Sequence, residues 1–307
     1  MSKITKALEK AARERLQMTQ AQPTAPAQPV TVPLAPVPFT ISRISEIASA
    51  GQVHIDPHIV SATNAMSPIA EQYRILRTNF QSLSLRSGSK VIVVTSAVNG
   101  EGKSVTATNL ALTMARQENL KVVLVDADMR KSTVPKWLGL PERHHEGLST
   151  VLNRDGILNG SLVKLQAPPL AVLPAGPAAE HPAELLGSIN MKRLLAALRA
   201  QFDLVIVDAP PLLPVADPGI IATQADGVML VVRAGKTQRK TVLQAQELLK
   251  KMKANLLGCV LTHVEYYIPG YYRYYRYARE KVTSEKSDAN GSTQGPKRQA
   301  TNDQYST

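Results

Sequence analysis

The segment Ala97-x-x-x-x-Gly102-Lys103-Ser104 sets residue types at a spacing that can handle phosphate. Gly100 and Gly102 let backbone N–H groups approach phosphate oxygens closely, and a helix starting there adds the positive end of its dipole. Lys103 is then set to reach the β- and γ-phosphates of a nucleotide, and the Ser104 hydroxyl to ligate Mg²⁺. The candidate nucleotide-binding stretch is Asn99, Gly100, Glu101, Gly102, Lys103, Ser104 and Val105. Two groups of acids could complete this chemistry. Asp126-Ala127-Asp128-Met129-Arg130 follows an apolar run, and Asp208 ends another, ahead of Ala209-Pro210-Pro211. Asp208 fits the aspartate that orders a Mg²⁺ shell, with Asp126 beside it, while Asp128 is the candidate to accept or orient an incoming proton. A third set is seven phenols: Tyr266, Tyr267, Tyr271, Tyr272, Tyr274, Tyr275 and Tyr277, crowded into EYYIPGYYRYYRYAR. With a phosphoryl donor bound nearby, these hydroxyls are candidate acceptors. A phenol with pKa about 10 needs a nearby base at neutral pH.

These groups must be held by an alternation of strands and helices. Val91–Thr95 is a β-branched run of the kind buried on both faces of a parallel sheet, and Val105–Arg116 has helical composition. Strand, glycine-rich loop and helix in that order are the context the phosphate motif requires. Lys121–Asp126, Asp203–Asp208, Gly227–Val232 and Leu257–Val264 read as further strands, with Leu170–Leu173 a short one. Helices are expected from Pro182 to about Ala200, from Asp217, and over Thr237–Met252. The pattern predicts an α/β fold, a doubly wound and mostly parallel sheet. Acids at strand C-termini then face the crevice where such sheets bind ligands. Cys259, in LLGCVLTHV, is expected in the core.

Outside this frame, Pro68–Leu85 reads as a helix with Ile69, Tyr73, Leu76, Phe80 and Leu83 on one stripe. Glu71, Arg74 and Arg77 wind beside it, either as intrahelical pairs or as bidentate contacts to another subunit. Ser2–Gln17 is amphipathic, with Ile4, Leu8, Ala11, Ala12 and Leu16 on one face, suited to a partner helix or an anionic lipid surface. The prolines of Gln20–Pro38 make an extended spacer. The expected division is a helix over 1–17, a spacer and uncertain segment over 18–65, a nucleotide-binding domain over 66–265 and a tail over 266–307.

Composition narrows the partners. In 307 residues with 44% apolar content there is one substantial core, and the formal charge of +12 favours an acidic partner surface. A single cysteine excludes a disulfide framework and a cysteine-built metal centre, and fits a reducing cytoplasm. No run approaches the roughly 18 apolar residues of a membrane span. The expectation is a soluble chain that works at a membrane only through something that holds it there. His144 and His145 have no partner at metal-ligand spacing. The tyrosine strip, with Arg273, Arg276 and Arg279, also suits stacking on single-stranded nucleic acid.

Together, EQYRILR, AVNGEGKS, VVLVDADMR, LVIVDAPP and the tyrosine cluster resemble the bacterial tyrosine kinases, more closely the cytoplasmic kinases of exopolysaccharide or capsule chain-length systems. The N-terminal ALEKAARERL with its proline spacer resembles the exosortase-associated branch. The resemblance implies ATP and Mg²⁺ as cofactors and a ring-shaped homo-oligomer joined through Glu71, Arg74 and Arg77. It also implies tail phosphorylation by a neighbour, a transmembrane polysaccharide co-polymerase as adaptor, a cognate tyrosine phosphatase, and residence at the inner face of the membrane through that adaptor, with no nucleic acid. Two departures stand out. Asn99 replaces the family's proline, and Leu261-Thr262-His263 stands where a base-holding Asn is usual. A MinD/ParA-type ATPase switch shares these nucleotide motifs, but it carries a second lysine at the position of Val98. A nucleotide-gated binding module without transfer activity is the other alternative, and the tyrosine tail has no role in the ATPase switch.

Overall fold

The structure is a computed structural model, and it describes residues 48–51, 53–87, 90–140, 146–153, 158 and 160–264. The amphipathic N-terminal stretch, the proline spacer, His144-His145 and the tyrosine cluster lie outside the described residues. The elements in order are β1 (Ala48–Ser49), α1 (Val60–Thr63), α2 (Pro68–Ser87), β2 (Val91–Ser96), α3 (Lys103–Ala115), β3 (Val122–Asp126), α4 (Val134–Trp137) and α5 (Leu148–Asn153). They continue with β4 (Val163–Lys164), β5 (Leu170–Leu173), α6 (Pro182–Gly187), α7 (Ile189–Gln201), β6 (Leu204–Asp208), α8 (Asp217–Ala222), β7 (Gly227–Arg233), α9 (Arg239–Lys251) and β8 (Leu256–Thr262).

The eight strands form one sheet in the order β1-β4-β5-β3-β6-β2-β7-β8. Every neighbouring pair is parallel except β4 with β5. Each central strand buries both faces, which is why β2, β3 and β6 read as unbroken Val/Ile/Leu runs. On one face Ile92, Val94, Leu124 and Ile206 meet Leu110, Ala111 and Met114 of α3 and Phe80 of α2. On the other, Val93, Val125 and Val207 meet Met191, Leu194 and Leu198 of α7, Ile221 of α8 and Leu249 of α9. The doubly wound α/β sheet expected from the sequence is the fold observed.

Three expectations need correcting. The helix expected from Pro182 to about Ala200 is two helices. Ser188, extended at ψ 162°, ends α6 and caps α7 by accepting from the Met191 N–H. Cys259 lies in the expected strand but is exposed, because β8 is the sheet edge and is only partly covered. Among the side chains described on α2, Ala70 and Phe80 are buried and Tyr73, Leu76 and Arg77 partly so, which keeps the middle of the expected stripe, while its ends, Ile69 and Leu83, are exposed. The covered face takes in a small residue and an arginine, which hydropathy does not reveal.

The segment 53–67, unreadable from its sequence, lies against the phosphate-loop helix α3. Asn109, fully buried on α3, accepts the Ser61 N–H at 2.9 Å and donates to the His58 carbonyl at 3.1 Å. Arg116 donates to the Ser61 carbonyl at 2.7 Å, and the hydroxyls of Ser61 and Thr113 lie 2.9 Å apart. Buried polar groups need such partners, and this segment adds to those that Asn109 and Thr113 find within α3, at the Val105 and Asn109 carbonyls.

Candidate active site

The site is assembled at the C-terminal ends of β2, β3 and β6, neighbours in the sheet centre. The loop after β2 turns into α3 through Gly102, whose φ of 91° is a conformation that L side chains rarely adopt. Gly100 also has positive φ, at 79°. Asn99 and Gly100 are exposed at the loop tip, while Ser104 is buried in the first turn of α3. The chain after β6 crosses beneath this loop. Leu212 N–H donates to the Ser96 carbonyl at 2.8 Å, and the Thr95 hydroxyl donates to the Pro210 carbonyl at 2.6 Å.

Lys103 lies among the acids. Its Nζ is 2.9 Å from Asp128 Oδ2, 3.8 Å from Asp208 Oδ1 and 3.1 Å from Ser104 Oγ. Burial pulls the ammonium down, but the charges of Asp208 and Asp128 outweigh it and hold Lys103 above its ordinary value. Asp126 and Asp208 pair in register across β3 and β6, so two carboxylates face each other at the same depth. Both are fully buried. Desolvation, reinforced by the charge of Asp208, pushes Asp126 up to about 7. Desolvation also raises Asp208, against the opposing pull of Lys103.

The three acids differ in what already satisfies them. Asp126 accepts from the Asp128 N–H at 3.1 Å, the Ser132 hydroxyl at 2.8 Å and the Val134 N–H at 3.2 Å, so it braces the loop that carries Asp128. Asp128 accepts the Lys131 N–H at 3.0 Å as well as the lysine. Among the described residues neither carboxylate oxygen of Asp208 accepts a hydrogen bond, and Lys103 at 3.8 Å is its ion-pair partner. A fully buried carboxylate that accepts no hydrogen bond and has its cation at 3.8 Å, beside a serine hydroxyl at a helix N-terminus, is a donor set suited to a hydrated Mg²⁺. The residues present therefore fit the ion.

Two features escaped the sequence reading. Arg130 forks onto Asp217 at the start of α8, Nε to Oδ2 at 2.8 Å and Nη2 to Oδ1 at 3.2 Å. Asp217 is 1% exposed, although Asp217-Pro218 read only as a helix start. Glu101 turns its carboxylate into the protein: Val98 N–H donates to it at 2.8 Å, Arg233 N–H at 3.4 Å, and the Thr237 hydroxyl closes the contact. Thr262, at the end of β8, donates its hydroxyl to the Glu101 carbonyl at 2.8 Å. On α2, Arg74 pairs with Glu71 at 2.5 Å and donates to the Ala65 carbonyl at 2.7 Å, while Arg77 reaches the Thr113 carbonyl at 3.5 Å. Within one chain, then, the Glu71–Arg74 pair is made internally and Arg77 leans on α3.

A parallel sheet with a glycine-rich loop, a helix-start lysine and acids on the adjoining strands defines a phosphate-loop nucleotide-binding protein. A family model described as an AAA domain matches residues 89–257. Tyrosine-protein kinase YwqD of Bacillus subtilis (strain 168) is 40% identical over 221 residues, spanning 70% of this chain and 91% of that protein. Tyrosine-protein kinase CpsD of Streptococcus agalactiae is 33% identical over 212 residues, 68% of this chain and 90% of its own length. Among solved structures, the kinase domain of Escherichia coli tyrosine kinase ETK superposes with a TM-score of 0.65 at 27% identity, covering 69% of this chain and 82% of that one. The chain belongs to the bacterial tyrosine-protein kinases.

Proposed function

We propose that this chain is an ATP-dependent protein-tyrosine autokinase that phosphorylates the tail cluster Tyr266, Tyr267, Tyr271, Tyr272, Tyr274, Tyr275 and Tyr277 of a neighbouring copy, and so regulates exopolysaccharide synthesis and export. One observation carries the reading: the phosphate-loop lysine lies between Asp128 and Asp208, at 2.9 and 3.8 Å, in a chain whose relatives are named tyrosine-protein kinases. The backbone of Asn99 to Val105 cradles the phosphates. On nucleotide binding Lys103 turns from Asp128 to the β- and γ-phosphates, whose charge it partly neutralises. A phenol oxygen of the tail then attacks the γ-phosphorus, the bond to the β–γ bridging oxygen breaks, and ADP leaves. The phenol proton passes to Asp128, freed of its lysine. Ser104 and Asp208 would hold Mg²⁺, with Asp126 bracing the loop at its side, and the ion supplies charge neutralisation on the phosphates when bound.

Transfer between copies requires assembly, for which Glu71, Arg74 and Arg77 are the proposed contact strip in a ring. A transmembrane polysaccharide co-polymerase is the proposed adaptor at the inner face of the membrane, and a tyrosine phosphatase the proposed antagonist. Among the described residues no helix is long and apolar enough to cross a membrane. The test is to incubate the full chain, dephosphorylated, with ATP and Mg²⁺ and to map phosphotyrosine by mass spectrometry. Phosphate is expected on the 266–277 cluster and lost in Lys103→Met. ATP hydrolysis without phosphotyrosine, in the presence of the adaptor, would favour the MinD/ParA-type switch instead.

A further inference from the structure

The terminal phosphates must lie on the side of the loop where Lys103, Asp128 and Asp208 converge, toward β3 and β6. The strand order β3-β6-β2-β7-β8 sets the ends of β7 and β8 on the opposite side of the loop, the side that the nucleotide-site reading gives to the nucleoside. The chain there is Arg233–Gln238, between β7 and α9, and Thr262-His263 after β8. Glu101 ties both to the phosphate loop. The residue is 2% exposed, and among the described residues it pairs with no cation: its oxygens are taken by the Val98 N–H of the phosphate loop and by the Arg233 N–H and Thr237 hydroxyl of the far side. Its carbonyl accepts the Thr262 hydroxyl, whose methyl lies 3.4 Å from where a Cβ on Gly102 would stand. A buried carboxylate wholly satisfied by two loops fixes their spacing, because losing either set of donors leaves its charge under-solvated.

We infer that Glu101 is a positioning residue, a clasp that sets the nucleoside-binding loop Arg233–Gln238 at a fixed distance from the phosphate loop, with Thr237 as its far jaw. The inference rests on the nucleotide-site reading above. The Thr262 hydroxyl belongs to the same clasp, so at this strand end it serves the loop instead of the base. The two jaws make separable demands. The Val98 and Thr262 bonds hold the phosphate cradle itself, whereas the Thr237 bond matters only for a ligand with a nucleoside.

The test titrates the full chain calorimetrically with Mg²⁺·ATP and with Mg²⁺ and inorganic triphosphate. Thr237→Val, which keeps the shape and removes the hydroxyl, should weaken ATP on the order of tenfold, the loss expected for one charge-assisted bond. Its affinity for triphosphate should stay at the wild-type value, and Thr237→Ser should restore ATP binding. Glu101→Ala should weaken both ligands. In phosphotyrosine assays Thr237→Val should raise the KM for ATP with kcat unchanged. Wild-type ATP affinity in Thr237→Val, an equal loss for ATP and triphosphate, or failure of Thr237→Ser to rescue would each overturn the clasp. So would a wild-type chain that does not bind ATP. The full pattern in a chain that makes no phosphotyrosine would sink the kinase reading and leave the clasp standing.

Discussion

Replacing Lys103 by methionine, the usual way to silence a phosphate-loop enzyme, should cost this protein stability as well as activity. The ammonium is 11% exposed and compensates Asp128, 6% exposed, and Asp208, fully buried. Among the described residues Asp208 accepts no hydrogen bond, so the lysine's charge is its main compensation. Removing one partner of a buried pair costs about 3–5 kcal/mol. The loss carries a pH signature. Desolvation already raises Asp208 against the opposing pull of Lys103, so removing the lysine raises it further. Each pH unit between the unfolded value of about 3.9 and the raised folded one then costs about 1.4 kcal/mol. The sign follows. In the variant the folded state binds the extra proton, so stability is intact below about pH 4 and falls as the pH rises toward the raised folded value. Urea unfolding of nucleotide-free wild type and Lys103→Met at pH 5, 6 and 7 should show a deficit of about 3–5 kcal/mol at pH 7, shrinking below about 2 at pH 5. Adding Asp208→Asn should recover most of it. A Lys103→Met protein as stable as wild type at pH 7, or a deficit that does not change with pH, would refute the argument.

Arg130→Ala leaves Asp217 buried without its fork and should destabilise by about 1–3 kcal/mol, discounted because the arginine is half exposed; adding Asp217→Asn should recover part of the loss in thermal melts. Asp226 accepts the N–H groups of Lys90 and Val91 at 2.8 and 2.7 Å and pairs with Arg199 at 2.8 Å. Although desolvation acts to raise its pKa, these donors outweigh it and hold the carboxyl below its ordinary value. Its contribution is therefore present above about pH 4 and lost as the pH falls through the lower folded value, so Asp226→Asn should cost about 1–2 kcal/mol at neutral pH and flatten the acid limb of the unfolding profile. Arg74→Ala with Arg77→Ala should reduce self-association in sedimentation velocity and, with it, phosphorylation between copies. Unchanged sedimentation would leave the strip as the intrachain contacts seen on α2.

The fold was legible because parallel strands buried on both faces must be written in Val, Ile and Leu, and each such run here became a strand within a residue or two of its expected bounds. The phosphate loop was legible for a related reason. Backbone approach to phosphate demands glycine, and a helix-start lysine and serine have few other uses in that order. Acids closing strands could be placed at the crevice because in such sheets the C-terminal ends meet there. The apolar stripe expected on α2 was right at Tyr73, Leu76 and Phe80 and wrong at its ends, Ile69 and Leu83, because the covered face also takes in Ala70 and Arg77, whose side chains give hydropathy no signal.

Sequence alone determined which residues meet: Lys103, Ser104, Asp126, Asp128 and Asp208 were all named from spacing and position along the strands. Tertiary structure decided how the work divides among them. Three chemically identical carboxylates became a braced one, a closely ion-paired one and one that accepts no hydrogen bond among the described residues, because the loop after β3 folds its own donors back onto Asp126 while Lys103 lies 2.9 Å from Asp128 but 3.8 Å from Asp208. The same holds for Glu101, Thr237, Thr262, Arg130 and Asp217. Glu101 meets partners more than a hundred positions away along the chain, and Arg130 one on a distant helix. A hydrogen bond over such a separation leaves no local pattern in composition or periodicity. It exists only once the sheet has set β7 beside β2 and β8 beside β7, and brought Asp217 of α8 to Arg130 after β3.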